Sequence, residues 1–239
     1  MSKKLITAAL ALVALAAFAL PASASAVSLG ETSGGTFTAL AKGSKITGTN
    51  VGNAKFVNSA LGVISECSKV VVTGEVTSNG PEVIEGNVET ATFSGEGAEY
   101  KGMKECLGES ALGSLTPTTN GTTDEKTVAS GTPWCIKTVK GADKFTVRGG
   151  KCTEETRAIT FILDTTLAGE CKYSRSAAIE GTFTTDVTNE DAVLTVNSGA
   201  TSEFTREAGS GFFCPSTGSL QMSFTMETDS ATVTPLYIK

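Results

Sequence analysis

Residues 220–226, Leu-Gln-Met-Ser-Phe-Thr-Met, alternate apolar and polar side chains. Successive side chains of a β-strand point to opposite faces of its sheet, so the four apolar residues, Leu220, Met222, Phe224 and Met226, share one face. The stretch therefore predicts a strand with one face in the core and the other toward solvent.

The same period of two recurs along the chain, whereas helical periodicity is hard to find beyond residue 26. Frequent Thr, Val, Phe and Gly favour pleated surfaces separated by turns. Further predicted strands lie at residues 70–76, 83–93, 134–138, 144–148, 159–163, 179–187, 193–196 and 231–238. We predict an all-β fold, an antiparallel β-sandwich of Greek-key or jelly-roll connectivity with roughly ten to twelve strands.

One predicted strand, residues 83–93, changes its apolar parity between Val88 and Ala91. An extra residue in one strand of an antiparallel pair moves the following side chains to the other face. The change predicts a β-bulge near Val88.

The first 26 residues have the composition of a secretory signal peptide. Lys3 and Lys4 precede an apolar, alanine-rich run over residues 5–20, and residues 22–26 offer small-x-small cleavage sites. We predict an exported bacterial protein, extracellular after cleavage behind Ala24 or Ala26, which N-terminal sequencing of secreted protein would test.

Six cysteines follow the predicted signal peptide: Cys67, Cys106, Cys135, Cys152, Cys171 and Cys214. An even number in an exported chain predicts three disulfides, and the absence of a C-x-x-C pair argues against a zinc ribbon or a redox dithiol. We predict the sequential pairing, because each pair then brackets consecutive strand segments and the first and third close loops of similar length.

Residues 27–239 are long enough for one large β domain, which is our prediction. Within them, residues 108–131 are rich in Gly, Ser, Thr and Pro and lack apolar periodicity. This stretch is either a long loop of that domain or an interdomain linker.

The charge pattern excludes some partner classes. The chain carries 19 Lys and Arg against 25 Asp and Glu, a formal net charge of −6, with both signs scattered. Nucleic-acid binding depends on clustered Lys and Arg, so we expect no nucleic-acid partner. No apolar run after residue 20 approaches the roughly 20 residues of a membrane helix, so we expect no membrane insertion after cleavage of the signal peptide.

Catalytic motifs are scarce. The chain has no histidine, and no serine stands three residues before a lysine, so the usual bases for a serine or cysteine nucleophile are absent. Neighbouring carboxylates remain, in the pairs Glu85 with Glu89, Glu154 with Glu155, and Glu190 with Asp191. Residues 189–191 also form an oxygen-rich turn that lacks the ligand spacing of a known calcium loop. We therefore expect no catalytic residue, cofactor or metal site.

Aromatic residues suited to a sugar-binding platform are few: Trp134, Tyr100, Tyr173 and Tyr237, besides the phenylalanines. Trp134 stands beside Cys135, and a tryptophan next to a disulfide is typical of core packing. We predict that Trp134 is buried.

Several short motifs together resemble a set of uncharacterised exported proteins of high-GC actinobacteria. They are the alanine-rich leader, Val-Val-Thr-Gly-Glu-Val-Thr-Ser-Asn at 71–79, Phe-Ser-Gly at 93–95 before Cys106, Pro-Trp at 133–134, and Cys-Lys-Tyr-Ser at 171–174. The resemblance implies secretion and a β-sandwich, and it implies no activity or site residue.

These observations predict a non-catalytic secreted or cell-surface protein with a structural or binding role, its partner a cell-surface glycan or a protein. The alternative is a carbohydrate-binding module, which requires an exposed row of aromatic rings. A third hypothesis is a two-carboxylate glycosidase, which requires two acids that converge about 5–10 Å apart in a cleft.

Overall fold

The computed structural model describes residues 28–33, 36–96, 99–100, 103–104, 106, 115–118, 133–139, 142–154, 157–165, 169–184, 192–229 and 236–238. Residues 1–26, the predicted signal peptide, lie outside these ranges. The regular structure of the described part is all β, with 19 strands and no helix, and so the described part contains no helix suited to crossing a membrane. The all-β class predicted from the sequence is confirmed.

The strands have these bounds: β1 Leu29–Ser33, β2 Thr36–Ala39, β3 Lys45–Asn50, β4 Ala54–Asn58, β5 Gly62–Cys67, β6 Lys69–Asn79, β7 Ile84–Ser94, β8 Glu99–Tyr100, β9 Met103–Lys104, β10 Leu115–Thr118, β11 Trp134–Val139, β12 Lys144–Gly149, β13 Ile159–Thr165, β14 Gly169–Arg175, β15 Ile179–Phe183, β16 Val193–Val196, β17 Glu203–Arg206, β18 Thr217–Thr228 and β19 Leu236–Ile238.

Eight of these strands close into a barrel. They pair antiparallel in the order β3, β6, β7, β11, β12, β15, β16, β18, and β18 then pairs with β3, where Phe224 faces Asn50. The expected sandwich is thus wrong for this sheet, and its strand count was too low. Alternation along a strand shows only that one of its faces is buried, a condition that sandwiches and barrels both meet. Closure depends on the pairing of strands far apart in sequence.

A second, seven-stranded sheet branches from the barrel in the order β10, β13, β14, β17, β18, β4, β5. The 12-residue strand β18 belongs to both sheets. Ser219 near its start faces β4 and β17, whereas Thr225 near its end faces β3 and β16. The alternating stretch that first indicated a strand is therefore the element that joins the two sheets.

The second sheet curls around an aromatic cluster. The ring of Phe56 on β4 lies 5.0 Å from that of Tyr173 on β14, and Phe161 on β13 lies 4.9 Å from Phe204 on β17. The rings of Phe56 and Phe161 are 6.2 Å apart although three strands separate β4 from β13 in the sheet. The cluster therefore fills the inside of a strongly curved sheet.

Tyr173 gives this cluster a measurable pH dependence. Its hydroxyl donates a hydrogen bond to the carbonyl of Pro215 over 3.1 Å, and burial raises its pKa to about 12. In the unfolded chain the tyrosine pKa is about 10, so the unfolded chain loses this proton at lower pH than the folded protein does. The contribution of Tyr173 to the free energy of unfolding is therefore full below about pH 10 and falls as the pH rises toward about 12.

We expect Tyr173→Phe to weaken that alkaline fall and to cost about 1 kcal/mol at neutral pH, because the carbonyl of Pro215 loses its donor. Thermal melts of both proteins across the alkaline range would measure this. If the melting temperatures of the two proteins fell in parallel above about pH 10, the alkaline fall would not come from Tyr173.

Three disulfides fasten the fold, and their sequential pairing is confirmed. They join Cys67 with Cys106, Cys135 with Cys152, and Cys171 with Cys214, at Cα separations of 4.5, 4.7 and 5.6 Å. The first begins at the end of β5, the second links β11 to the turn after β12, and the third links β14 to the loop before β18.

The predicted bulge is also confirmed. Thr73 faces Thr90 across the β6–β7 pair and the next residue, Gly74, faces Val88, so Glu89 is the extra residue. In residues 108–131 the structure describes only β10, which pairs with β13. The rest of that stretch lies outside the described residues.

Candidate functional site

The carboxylates proposed as a catalytic pair are engaged with lysines. Glu85 lies 3.1 Å from Nζ of Lys137, and Glu89 lies 3.1 Å from Nζ of Lys45. Lys45 also contacts Glu75 at 3.2 Å, and the hydrogen bonds to Glu89 and Glu75 raise its pKa. This arrangement neutralises charge on the outer face of the barrel wall and gives no paired acid and base.

The other acidic candidates are only partly described. Glu154 lies in the turn after β12, while Glu155 and residues 189–191 lie outside the described residues. Within the described part of the chain, no three His, Cys, Asp or Glu residues come close enough to hold a metal ion.

The aromatic candidates for a sugar platform are mostly internal. Trp134 is 4% exposed, as predicted for core packing, and Tyr173 is fully buried. The side chains of Tyr100 and Tyr237 lie outside the part of the structure that is described. The described members of this group thus form no exposed row.

Two phenylalanines that sequence reasoning passed over are exposed instead. Phe212 and Phe213 are 89% and 66% exposed, and their rings meet edge to face at 5.3 Å. Their loop is anchored on β14, where the N–H of Gly211 donates to the carbonyl of Glu170 and the Cys171–Cys214 disulfide follows. The pair is an apolar tip on a fastened loop.

The barrel encloses an apolar cavity of about 100 Å³. All eight barrel strands contribute to its wall, and the polar atoms there expose almost no surface to it. Representative lining residues are Ile136, Phe145, Val147, Leu194, Met222 and Phe224. An eight-stranded barrel has an interior that its side chains can either fill or leave open for one small ligand. Here the side chains leave part of the interior open.

Three glycines let one side of the cavity wall pack closely. Gly48, Gly74 and Gly86 line the cavity from the adjacent strands β3, β6 and β7, and supply no side chain to it. A Cβ on Gly74 would clash with the carbonyl oxygen of Asn87, so β6 and β7 approach closely beside the bulge. A Cβ on Gly48 would likewise lie 2.6 Å from Cγ2 of Val72, so neighbouring residues pack directly against these glycines.

A second cavity of about 40 Å³ lies next to the first and shares Ile46, Ile136 and Phe145 with it. Its remaining wall includes Leu29 of β1 and Ile238 of β19. These strands belong to a separate three-stranded sheet, ordered β19, β1, β2, which covers this end of the barrel interior. We call this sheet the cap.

One side chain fastens the cap to the barrel. Asn79, the last residue of β6, accepts a hydrogen bond from the N–H of Leu29 at 2.9 Å. Its amide nitrogen donates to the carbonyls of Leu29 at 2.7 Å and Leu40 at 2.8 Å. An asparagine can make this set of contacts because it carries both a donor and an acceptor.

We expect Asn79→Ala to lower the free energy of unfolding by about 2–3 kcal/mol, because the N–H of Leu29 and the carbonyl of Leu40 lose their partner, while the carbonyl of Leu29 keeps the N–H of Leu40. Asn79→Asp is the matched control, since it keeps the acceptor for Leu29 and loses both donors. Urea unfolding of the three proteins should rank wild type above both variants. Equal stability of Asn79→Ala and the wild type would show that the cap is held by other contacts.

The comparisons with other proteins add no assignment: no family model, curated protein or solved structure matches this chain. The barrel cavity is therefore the candidate site on its geometry alone. Sequence reasoning missed it, because the open space depends on how side chains from all eight barrel strands fill the interior together.

Proposed function

We propose that this chain is a non-catalytic exported binding protein whose barrel holds a small apolar molecule. The observation that carries the proposal is the cavity of about 100 Å³ with an almost wholly apolar wall. Close-packed protein interiors contain few voids larger than a water molecule, so space of this size inside a closed barrel is unusual. The three disulfides are consistent with an extracellular protein.

The size and chemistry of the cavity define the ligand. An apolar cavity of about 150 Å³ stays dry and binds benzene or xenon. The larger cavity, of about 100 Å³, is of the same order of size. A charged or strongly polar ligand would lose its hydration there without compensation. The ligand is therefore a neutral, mainly hydrocarbon molecule of a few heavy atoms.

Benzene is a suitable first probe. At about 0.8 kcal/mol for each buried carbon, six carbons give about 5 kcal/mol, which corresponds to a Kd of about 0.2 mM. Trp134 lines the cavity and is the single tryptophan of the chain, so its fluorescence reports binding directly. Benzene at about ten times its Kd should raise the melting temperature by about 4 °C.

Two variants test whether binding occurs in the cavity. Val147→Phe places a ring in it and should weaken benzene binding at least tenfold, whereas Met222→Ala enlarges it and should favour ethylbenzene over benzene. Val139→Phe is the matched control, because Val139 is exposed on the barrel wall. Absence of saturable benzene binding to the wild type, or equal binding by the Val147→Phe and Val139→Phe variants, would contradict the proposal.

A second candidate function, a carbohydrate-binding module, is favoured by the exposed Phe212 and Phe213. Exposed aromatic rings offer apolar surface against which the C–H face of a sugar can pack. A glycan array with the wild type and with Phe212→Ser/Phe213→Ser tests it. A signal that the double variant loses supports the candidate, and a blank array for the wild type contradicts it.

A further inference from the structure

The side wall of the barrel is a costly route into its cavity. The eight barrel strands pair antiparallel with their neighbours, and the pairing of β18 with β3 closes the circle. A molecule that passes between two strands must separate them, and the freed backbone groups would then lose their hydrogen-bond partners in an apolar interior. A ligand therefore enters more easily through one of the two ends.

The end toward the second sheet is filled by aromatic rings. Trp134 and Phe161 line the cavity there, with their ring centroids 6.1 Å apart, and Phe161 packs against Phe204 inside the second sheet. The Cys135–Cys152 disulfide fastens the same end, because Cys135 follows Trp134 on β11. The long strand β18 also runs through both sheets. Opening this end would break the contacts that join the two sheets.

The opposite end is covered by the cap, which is a sheet of its own. In the described part of the chain, no strand of the cap pairs with a strand of the barrel. Three apolar side chains of the cap are buried, Leu29, Leu236 and Ile238, and two of them, Leu29 and Ile238, line the second cavity beside the barrel cavity. The cap can therefore move away while the strand pairs of the barrel stay intact.

The polar contacts of the cap with the rest of the protein are centred on Asn79. Its side chain bonds to the backbone of Leu29 at 2.9 and 2.7 Å and to the carbonyl of Leu40 at 2.8 Å. A further bond runs from the N–H of Ala192 to the carbonyl of Leu236, over 3.0 Å. These bonds must break before the cap can leave the end of the barrel.

We propose that the cap is a lid, and that a ligand enters and leaves the barrel when the bonds of Asn79 break and the cap lifts. This inference rests on the proposed function and adds the control of ligand exchange to it. The bound ligand contacts the closed interior, so the closed state sets the affinity, whereas the frequency of opening sets the rates of association and dissociation. Weaker bonds at Asn79 should therefore raise both rates and leave the Kd nearly unchanged, as long as the closed state predominates.

The test compares two asparagines that each make three hydrogen bonds to the backbone. The control is Asn58, the last residue of β4 in the second sheet, which accepts from the N–H groups of Ala60 and Leu61 and donates to the carbonyl of Thr217. Its loss weakens the fold away from the cap. Benzene exchange with the wild type, Asn79→Ala and Asn58→Ala is measured by NMR relaxation dispersion, which detects exchange on the microsecond to millisecond timescale.

We expect Asn79→Ala to raise the association and dissociation rates of benzene by about tenfold or more, the effect of losing two hydrogen bonds that hold the lid. The Kd should stay close to that of the wild type. Asn58→Ala should leave both rates nearly unchanged, although it also destabilises the protein.

A second readout needs neither a variant nor a ligand. The N–H groups of Leu29 and Ala192 are bonded across the boundary between the cap and the rest of the protein, so both are released when the cap lifts. In the wild type these two amides should exchange with solvent at a similar rate, and faster than the amides of the β6–β7 pair, because the cap opens without unfolding of the barrel.

The outcomes separate the lid from the binding function. Equal acceleration of benzene exchange by the two variants, or acceleration by neither, overturns the inference and leaves binding in the barrel standing. Exchange of the Leu29 and Ala192 amides only at the rate of global unfolding overturns it as well. Absence of benzene binding to the wild type overturns the proposed function and the inference together.

Discussion

Reduction of all three disulfides is expected to unfold this protein or to lower its melting temperature by about 20 °C or more. The bridges span 39, 17 and 43 residues of sequence. On the loop-entropy account, loops of these lengths each contribute about 3–4 kcal/mol. The total is comparable to the whole stability of a typical domain, about 5–15 kcal/mol.

Thermal melts with and without reductant, with the number of alkylated cysteines counted by mass spectrometry, measure this effect. The double variant Cys135→Ala/Cys152→Ala removes only the shortest loop and should lose about 3 kcal/mol, a smaller loss than full reduction gives. A fully reduced protein that melts within a degree or two of the oxidised one would show that packing alone holds the fold.

Local features of this fold are readable from the sequence. The alternation in residues 220–226 identifies β18, and the parity change between Val88 and Ala91 identifies the bulge at Glu89. Both are properties of consecutive residues. The disulfide pairing is predictable for a related reason, since each bridge joins two cysteines that follow one another in the sequence.

Closure of the barrel is not readable in this way. It is set by the pairing of Phe224 with Asn50 and of Thr228 with Ile46, between strands near opposite ends of the described chain. β18 also changes partners along its length, from β4 and β17 to β3 and β16. The side chains alternate in the same way through both parts, so the pattern contains no mark of the change.

The candidate site is likewise only partly predictable from the sequence. Burial of Trp134 is predictable from its position beside Cys135, but the empty space beside it is not. A cavity depends on how side chains from all eight strands fill the interior together. Glycines such as Gly48 and Gly86 suggest turns or bulges when considered singly, and their close contacts with the neighbouring strand become visible only when the strands are placed side by side.

The second large effect is expected at Phe161, where the two sheets meet. Its ring lies 4.9 Å from Phe204 and 6.2 Å from Phe56 inside the second sheet, and 5.9 Å from Phe93 at the end of the barrel strand β7. It also packs against Trp134. The side chain is buried, so its loss removes contacts on both sides of the junction.

We expect Phe161→Ala to lower the free energy of unfolding by about 3–5 kcal/mol, because truncation of a buried aromatic ring loses its transfer free energy and leaves a cavity. Phe212→Ala is the matched control: the same substitution at an 89% exposed ring should change stability by less than about 0.5 kcal/mol. Urea unfolding of both variants measures the difference.

The same substitution links stability to the proposed binding site, because Phe161 lines the barrel cavity. Removing its ring enlarges the cavity toward the second sheet, so Phe161→Ala should bind ligands larger than benzene more tightly than the wild type does, even as it becomes less stable. Stability falls while affinity for larger ligands rises only if the space left by the ring is continuous with the barrel cavity. A loss of stability without a gain in affinity for larger ligands would contradict this prediction. The barrel interior would then close over the missing ring, and Phe161 would separate the barrel cavity from the core of the second sheet.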